Sequence, residues 1–311
     1  MKRFLIRRSI FSLISLIGAT FIVFGLSRVA GDPLLLYAAP EGYGRTPEQI
    51  EALEKHLGLD RPFLTQYFIW VGHVLRGDLG RSLSGERRVS SIISEKLPAT
   101  IQLAVAGWLL ATVVGIPLGI LSAVKRGTLW DYTGRFVALF GQAIPNFWLA
   151  ILGVLVFTVW VEWLPSGFRG EGFSPKHFIM PTIVVGTSAM AGYLRMTRSA
   201  MLEVLDSEFV KLARAKGVSS NVVIWKHALR NALIQPITIS TLLLAGLLNG
   251  TLVAEAVFAW PGLGRTMLEA VRANDFPVLT GGVLIFAGIY IVFSFIADIL
   301  YVVVDPRIRY S

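Results

Sequence analysis

LDSEFVKLARAKGVSSNVVIWKHALRNALIQPIT, residues 205–238, separates two long apolar runs, and its reading decides the fold. Residues 201–231 carry eight Asp, Glu, Lys or Arg side chains. At ~2.5–3.5 kcal/mol each near mid-bilayer, inserting them costs roughly 20–28 kcal/mol, so this stretch is expected in water while its flanks cross a membrane. Leu205, Phe209, Leu212 and Ala213 fall at i, i+4, i+7 and i+8, the spacing of one apolar face on a short helix. Gly217 stands where that helix should stop, because glycine enters the left-handed C-cap conformation without a steric penalty. Ser219 or Ser220 can cap a second helix with Val222, Trp225 and Leu229 on one side. Two short helices about a glycine hinge fit a docking surface, and on pattern alone they fit a solvated connector equally well.

Composition supports the membrane reading. Of 311 residues, 54% are hydrophobic and 16% charged, against about 25% charged in soluble domains. Low charge with long apolar runs predicts a polytopic, all-α integral membrane protein in contact with lipid. The net charge of +9 would suggest nucleic acid or acidic partners in a soluble protein, but here the placement of Lys and Arg matters more than their sum. The absence of cysteine excludes disulfides and thiolate metal sites. Histidines 56, 73, 177 and 227 show no H-x-x-H spacing, so no metal site is expected. No G-x-x-x-x-G-K-[ST] loop is present to cradle ATP phosphates. Gly186-Thr187-Ser188 lacks the second glycine of a nucleophile elbow. With no catalytic constellation, the chain is not read as an enzyme.

The remaining spans follow from the same logic. Residues 1–30 form an N-terminal membrane helix, apolar from Ser9 to Leu26 behind Lys2, Arg3, Arg7 and Arg8. Residues 31–98 form an extracytoplasmic region with short helices: one capped by Thr46, with Ile50, Leu53 and Leu57 on its edge and Gly58 at its end, and a second from Pro62 through Trp70 to Leu75. Residues 99–304 hold the core, with its loop at 201–231. Its second span runs from Thr100 to Val124, started by Pro98, with a Gly115/Gly119 G-x-x-x-G step suited to close contact. The third covers Phe136–Trp160 and is interrupted at Pro145, where a kink lines a pathway or is merely structural. The fourth, Phe178–Leu194, has a small-residue side at Gly186, Ser188, Ala189, Ala191 and Gly192, and Arg195 and Arg198 snorkel at its end. The fifth, Leu233–Val253, carries Gly246, Asn249 and Gly250, with Asn249 expected in a helix–helix hydrogen bond. The sixth, Leu279–Val304, contains Asp298, a carboxylate near the interface that reads as structural or as part of a pathway. Residues 305–311 are a tail. The segments placed inside hold sixteen Lys and Arg, while the outer loops 163–177 and 255–278 hold two each. Six spans with both termini cytoplasmic satisfy this bias.

Glu208-Phe209-Val210, Ala213-Arg214-Ala215-Lys216-Gly217 and His227-Ala228-Leu229-Arg230-Asn231-Ala232-Leu233 together resemble the EAA loop of ABC importer permeases, most closely the dipeptide, oligopeptide and nickel family. Lys211 and Leu212 replace the name-giving Glu and first Ala, and Gln235 precedes Pro236. Ile144-Pro145-Asn146-Phe147-Trp148, Val257-Phe258-Ala259-Trp260-Pro261-Gly262-Leu263-Gly264-Arg265 and Asp305-Pro306-Arg307 extend the resemblance over nearly the whole chain. It implies a type I ABC importer permease-like fold: six transmembrane helices with a five-helix importer-permease core, in the plasma (inner) membrane of a prokaryote. It also implies a second homologous permease, two ATP-binding cassette ATPase subunits and an extracytoplasmic substrate-binding protein as partners. ATP and Mg would sit in the ATPases, with no cofactor in this chain. Glu208, Ala213, Arg214, Ala215, Lys216 and Gly217 are the expected ATPase-facing set. Di- or oligopeptides are the leading cargo, with nickel complexes, glutathione and oligosaccharides in similar systems. The competing reading is a stand-alone six-helix carrier or channel that uses Pro145, Asn249 or Asp298.

Overall fold

The apolar runs fold as helices, which satisfy every backbone N–H and C=O within the segment. The computed structural model describes residues 2–29, 60–167 and 174–304, together with Glu48, Glu51 and Lys55. The expected Thr46-capped helix and the tail 305–311 lie outside the described residues. Helix α1 covers Lys2–Val29 and α2 Phe63–Leu75. Helix α3, Val89–Leu110, continues through a π turn, Ala111–Gly115, into α4, Ile116–Val124. Then come α5, Leu129–Ala143, and α6, Asn146–Val154, the latter extended by a π stretch, Leu155–Trp160. Helix α7 is Pro175–Leu205 and α8 Glu208–Ala215. Helix α9, Ser220–Val222, runs through a third π stretch, Val223–Ala228, into α10, Leu229–Ala232. Helices α11, Ile234–Val257, α12, Leu263–Arg272, and α13, Phe276–Val304, complete the order. Among the described residues five helices are long and apolar enough to cross a membrane, and six spans result when the broken pair α5–α6 is counted as one.

Two boundaries differ from expectation. The second span begins at Val89, not Thr100, and Pro98 lies inside α3 rather than at its start. Val89, Ile92 and Ile93 are buried in a core cluster, so packing holds the turns ahead of a proline that removes one ladder bond. At Pro145 the helix breaks outright: Ile144 (ψ 123°) and Pro145 (ψ 137°) both leave the helical region, and the axes bend by 100°. A residue before proline is driven toward extended backbone, which turns the expected kink into a break.

The chain divides into two compact units. One contains Ala99–Gly262 and the residues from Val292, with α7 at its centre; α7 touches α4, α5, α6, α10 and α11. Half of its apolar window is buried, against 6% for α1. The close approach is made by glycine. A Cβ on Gly115 would stand 2.6 Å from the Met190 carbonyl oxygen, and one on Gly119 2.7 Å from that of Leu194. The small side of α7 faces inward as expected at Gly186, Ala189 and Ala191, whereas Ser188 is exposed.

The other unit contains Lys2–Pro98 and Leu263–Ile291. Phe21 and Phe24 of α1 pack on Phe63, Tyr67 and Trp70 of α2, and Thr20 and Tyr67 share a 2.9 Å hydrogen bond. Val89, Ile92 and Ile93 join Leu263, Met267, Val278 and Phe286 in one core. Asp275 precedes α13 and accepts from the Val278 amide, and its other oxygen accepts from the Ser82 and Ser84 hydroxyls and the Ser84 amide.

Candidate functional site

The 205–232 loop is built around α8. Ser207 precedes it in extended backbone, Glu208 lies in its first turn and Arg214 in its last, each suiting the helix dipole. Its end is a Schellman motif: the Gly217 amide donates to the Arg214 carbonyl (3.0 Å) and the Val218 amide to the Ala213 carbonyl (3.2 Å). Gly217 has φ +78°, the left-handed stop read from the sequence, and open space where a Cβ would be. Helix α8 packs against the 223–228 stretch and the end of α7, and Val210 is the residue it buries fully.

The apolar face inferred from spacing does not turn inward. Phe209 and Leu212 remain 48% and 56% exposed, and Val222 and Trp225 41% and 60%. Leu229 parts from Val222 and Trp225 and packs with Met201 and Ala228. The cause is the π stretch between them. Its i→i+5 bonding adds about one residue to the turn, so a 3.6-residue count slips. The buried line runs Val223, Ala228, Ala232, a spacing of five and then four.

Of the expected docking residues, Glu208, Arg214, Ala215, Lys216 and Gly217 are exposed and Ala213 is half-buried. Glu208 pairs with Lys211 at 2.8 Å. That hydrogen bond holds the Lys211 ammonium above the ordinary lysine range, so it keeps its charge at physiological pH. Arg214 and Lys216 form no ion pair among the described residues. The loop therefore presents large apolar side chains beside unpaired cations on an anchored helix.

Sequence reasoning missed a buried ionic centre in the same unit. Asp131, in the first turn of α5 and 1% exposed, accepts from Arg198 Nε (2.8 Å) and Nη2 (3.2 Å), Arg135 Nη2 (3.2 Å), Ser122 Oγ (2.9 Å) and the Gly127 amide (3.0 Å). Arg198 does not snorkel freely but ties α7 to the α4–α5 turn. Arg126 of that turn reaches Asp206 beside α8 at 3.7 Å.

The pathway candidates lie on three separate elements. Pro145 is exposed at the α5–α6 break, and Asp298 is half-buried in α13. Asn249 points outward and its Nδ2 donates weakly to the Ala245 carbonyl of its own helix (3.4 Å), not to another helix. The Phe258-Ala259-Trp260-Pro261-Gly262 segment is a packed turn. Trp260 is buried, donates its Nε1–H to the Ala99 carbonyl (2.9 Å) and meets Phe178 edge-on. Glu255, also buried, accepts from the Thr100 hydroxyl (2.7 Å) and lies against Gly262. Among the described residues no group of three His, Asp or Glu could hold a metal ion.

Comparisons with known proteins identify the family. The family model described as binding-protein-dependent transport system inner membrane component matches residues 115–310, and its N-terminal companion matches residues 1–104. The oligopeptide transport system permease protein AppB of Bacillus subtilis is 38% identical over the full length of both chains. The dipeptide transport system permease proteins DppB of Escherichia coli and of Alkalihalophilus pseudofirmus are 37% and 35% identical, again over 100% of both. Among solved structures, an inward-facing form of the MetNI methionine ABC transporter superposes with a TM-score of 0.55 at 18% identity, over 69% of this chain and 96% of that one. That likeness supports the importer-permease fold. These findings converge with the apolar helices on a multi-pass permease of the inner membrane: the chain belongs to the family of binding-protein-dependent transport system inner membrane components.

Proposed function

We propose that this permease carries di- or oligopeptides, and that the 205–232 loop is the surface through which an ATPase drives it. In this reading the chain lines a pathway with a second homologous permease. Two ATPase subunits bind ATP and Mg on the cytoplasmic side, and a substrate-binding protein delivers cargo from outside. Both termini face the cytoplasm, as the excess of Lys and Arg in the segments placed inside favours. Peptide cargo is favoured by the names of the three relatives above. The outward Gly246, Asn249 and Gly250 face of α11 is assigned to the second permease or the pathway beside it.

One observation carries the docking role: Phe209, Leu212 and Trp225 stay exposed on a loop whose helix is anchored by Val210 and closed at Gly217. Ion pairs across such an interface set orientation and encounter rate, while buried apolar anchors supply most of the affinity. Glu208, Ala213, Arg214, Ala215, Lys216 and Gly217 surround those anchors. The test is affinity purification of the assembled transporter carrying Leu212→Asp. Loss of the ATPase with retention of the second permease and normal membrane insertion is expected. Full ATPase recovery and wild-type peptide uptake would overturn the docking role.

A further inference from the structure

Residues 62–90 contain a second unpartnered surface. Leu64, Phe68 and Leu75 share one face of α2 and are 58%, 68% and 82% exposed. The neighbouring face, Phe63, Tyr67 and Trp70, packs on α1, and Tyr67 reaches the Ile17 carbonyl and Thr20 within the apolar stretch Ile6–Leu26. A helix apolar on two sides, alongside a membrane span, belongs in the lipid interface rather than in water.

Directly after Leu75 the chain builds a groove of about 450 Å³ lined by Arg76, Gly77, Asp78, Gly80, Arg81, Arg88 and Ser90. Arg81 and Arg88 sit opposite each other on an isolated antiparallel bridge, a placement that is unfavourable for like charges. They are held there from outside the groove. Ser82 and Ser84, in the turn between them, bind the buried Asp275 carboxylate, and the Val89 amide donates to the Gly80 carbonyl (3.0 Å). None of the three arginines forms an ion pair among the described residues. The one carboxylate in the groove, Asp78, is engaged by the Gly80 amide (3.0 Å) and lies 3.5 Å from His73.

We propose that this groove binds the phosphate of an anionic phospholipid, in the leaflet reached by the C-terminal end of α1, with an acyl chain along Leu64, Phe68 and Leu75. Guanidinium groups match phosphate oxygens bidentately, and basic residues at a membrane surface attract anionic lipid. The continuity of Leu75 with Arg76 sets apolar and cationic surfaces end to end, as in the ligand. An acidic protein surface would satisfy the arginines but not the three exposed apolar side chains.

The test is native mass spectrometry of the full transporter in mild detergent, titrated with phosphatidylglycerol or phosphatidylcholine. Replacing Arg76, Arg81 and Arg88 together by Gln should weaken the first phosphatidylglycerol binding step at least about fivefold and leave phosphatidylcholine unchanged. Replacing them by Lys, which keeps the charge but not the bidentate fork, should restore only part of the preference, and Arg88→Gln alone should give a smaller loss in the same direction even where the triple variant folds poorly. Unchanged phosphatidylglycerol preference in the Gln variants overturns the proposal. So does equal competition by millimolar inorganic phosphate, which marks a free-anion site. Loss of substrate-binding-protein capture with lipid binding intact overturns it too, and assigns the groove to a protein partner.

Discussion

The two G-x-x-x-G steps of this chain have the same spelling and opposite surroundings. At Gly115 and Gly119 a Cβ would run into the backbone of α7; at Gly246 and Gly250 it would meet nothing within 4 Å. The motif permits close approach, and the partner decides whether approach occurs. In the first case the partner is another helix of the same unit. In the second no described residue fills the place.

This contrast can be broken or sharpened by substitution. The largest effects belong to the packed region. Asp131→Ala leaves Arg198 facing an emptied site and should destabilise the folded chain by about 3–4 kcal/mol, read by denaturant unfolding in micelles. Gly119→Ala adds one Cβ against backbone that cannot move aside, and should cost about 2 kcal/mol in the same assay. Gly217→Val, at φ +78° in open space, should cost about 1–2 kcal/mol of local backbone strain. It should raise amide exchange in residues 208–218 and uncouple transport while insertion stays normal; wild-type transport would remove the loop from the coupling route. The smallest effect has the opposite sign. Gly246→Ala should stabilise the isolated chain by about 0.5–1 kcal/mol through helix propensity, yet weaken recovery of the second permease. If Gly246→Ala destabilised the chain as Gly119→Ala does, the distinction between the two steps would fail.

The spans and the helix stop at Gly217 were legible because each rests on local chemistry: runs of apolar residues, charge that water must keep, and a residue that tolerates positive φ. The docking loop was legible as a pattern but not in its facing. Phe209 and Leu212 carry the same spacing whether they pack or stay exposed, and the π stretch at 223–228 shifts the register by a residue that no 3.6-residue count contains. Asp131 was not legible, since its main partner, Arg198, is 67 positions away. An aspartate after a Gly-Thr turn reads as an ordinary helix start. The break at Pro145 was visible, but its size depends on Ile144 leaving the helix as well.

That break also governs how the α5–α6 arm meets bilayers of different thickness. Its two limbs, residues 129–143 and 146–160, are each about 22 Å long at 1.5 Å per residue, and a 100° bend gives them a combined reach of about 28 Å. A straight helix of the same length would exceed a ~30 Å hydrocarbon layer and have to tilt as one rod. The bent arm matches that layer only along its diagonal, and a small change of angle at Ile144–Pro145 lengthens or shortens its reach. Both limbs pack on α7, and a Cβ on Gly141, three residues before the joint, would stand 2.8 Å from that of Ala191, so the angle, and with it the layer the arm can match, is set by the packing against α7.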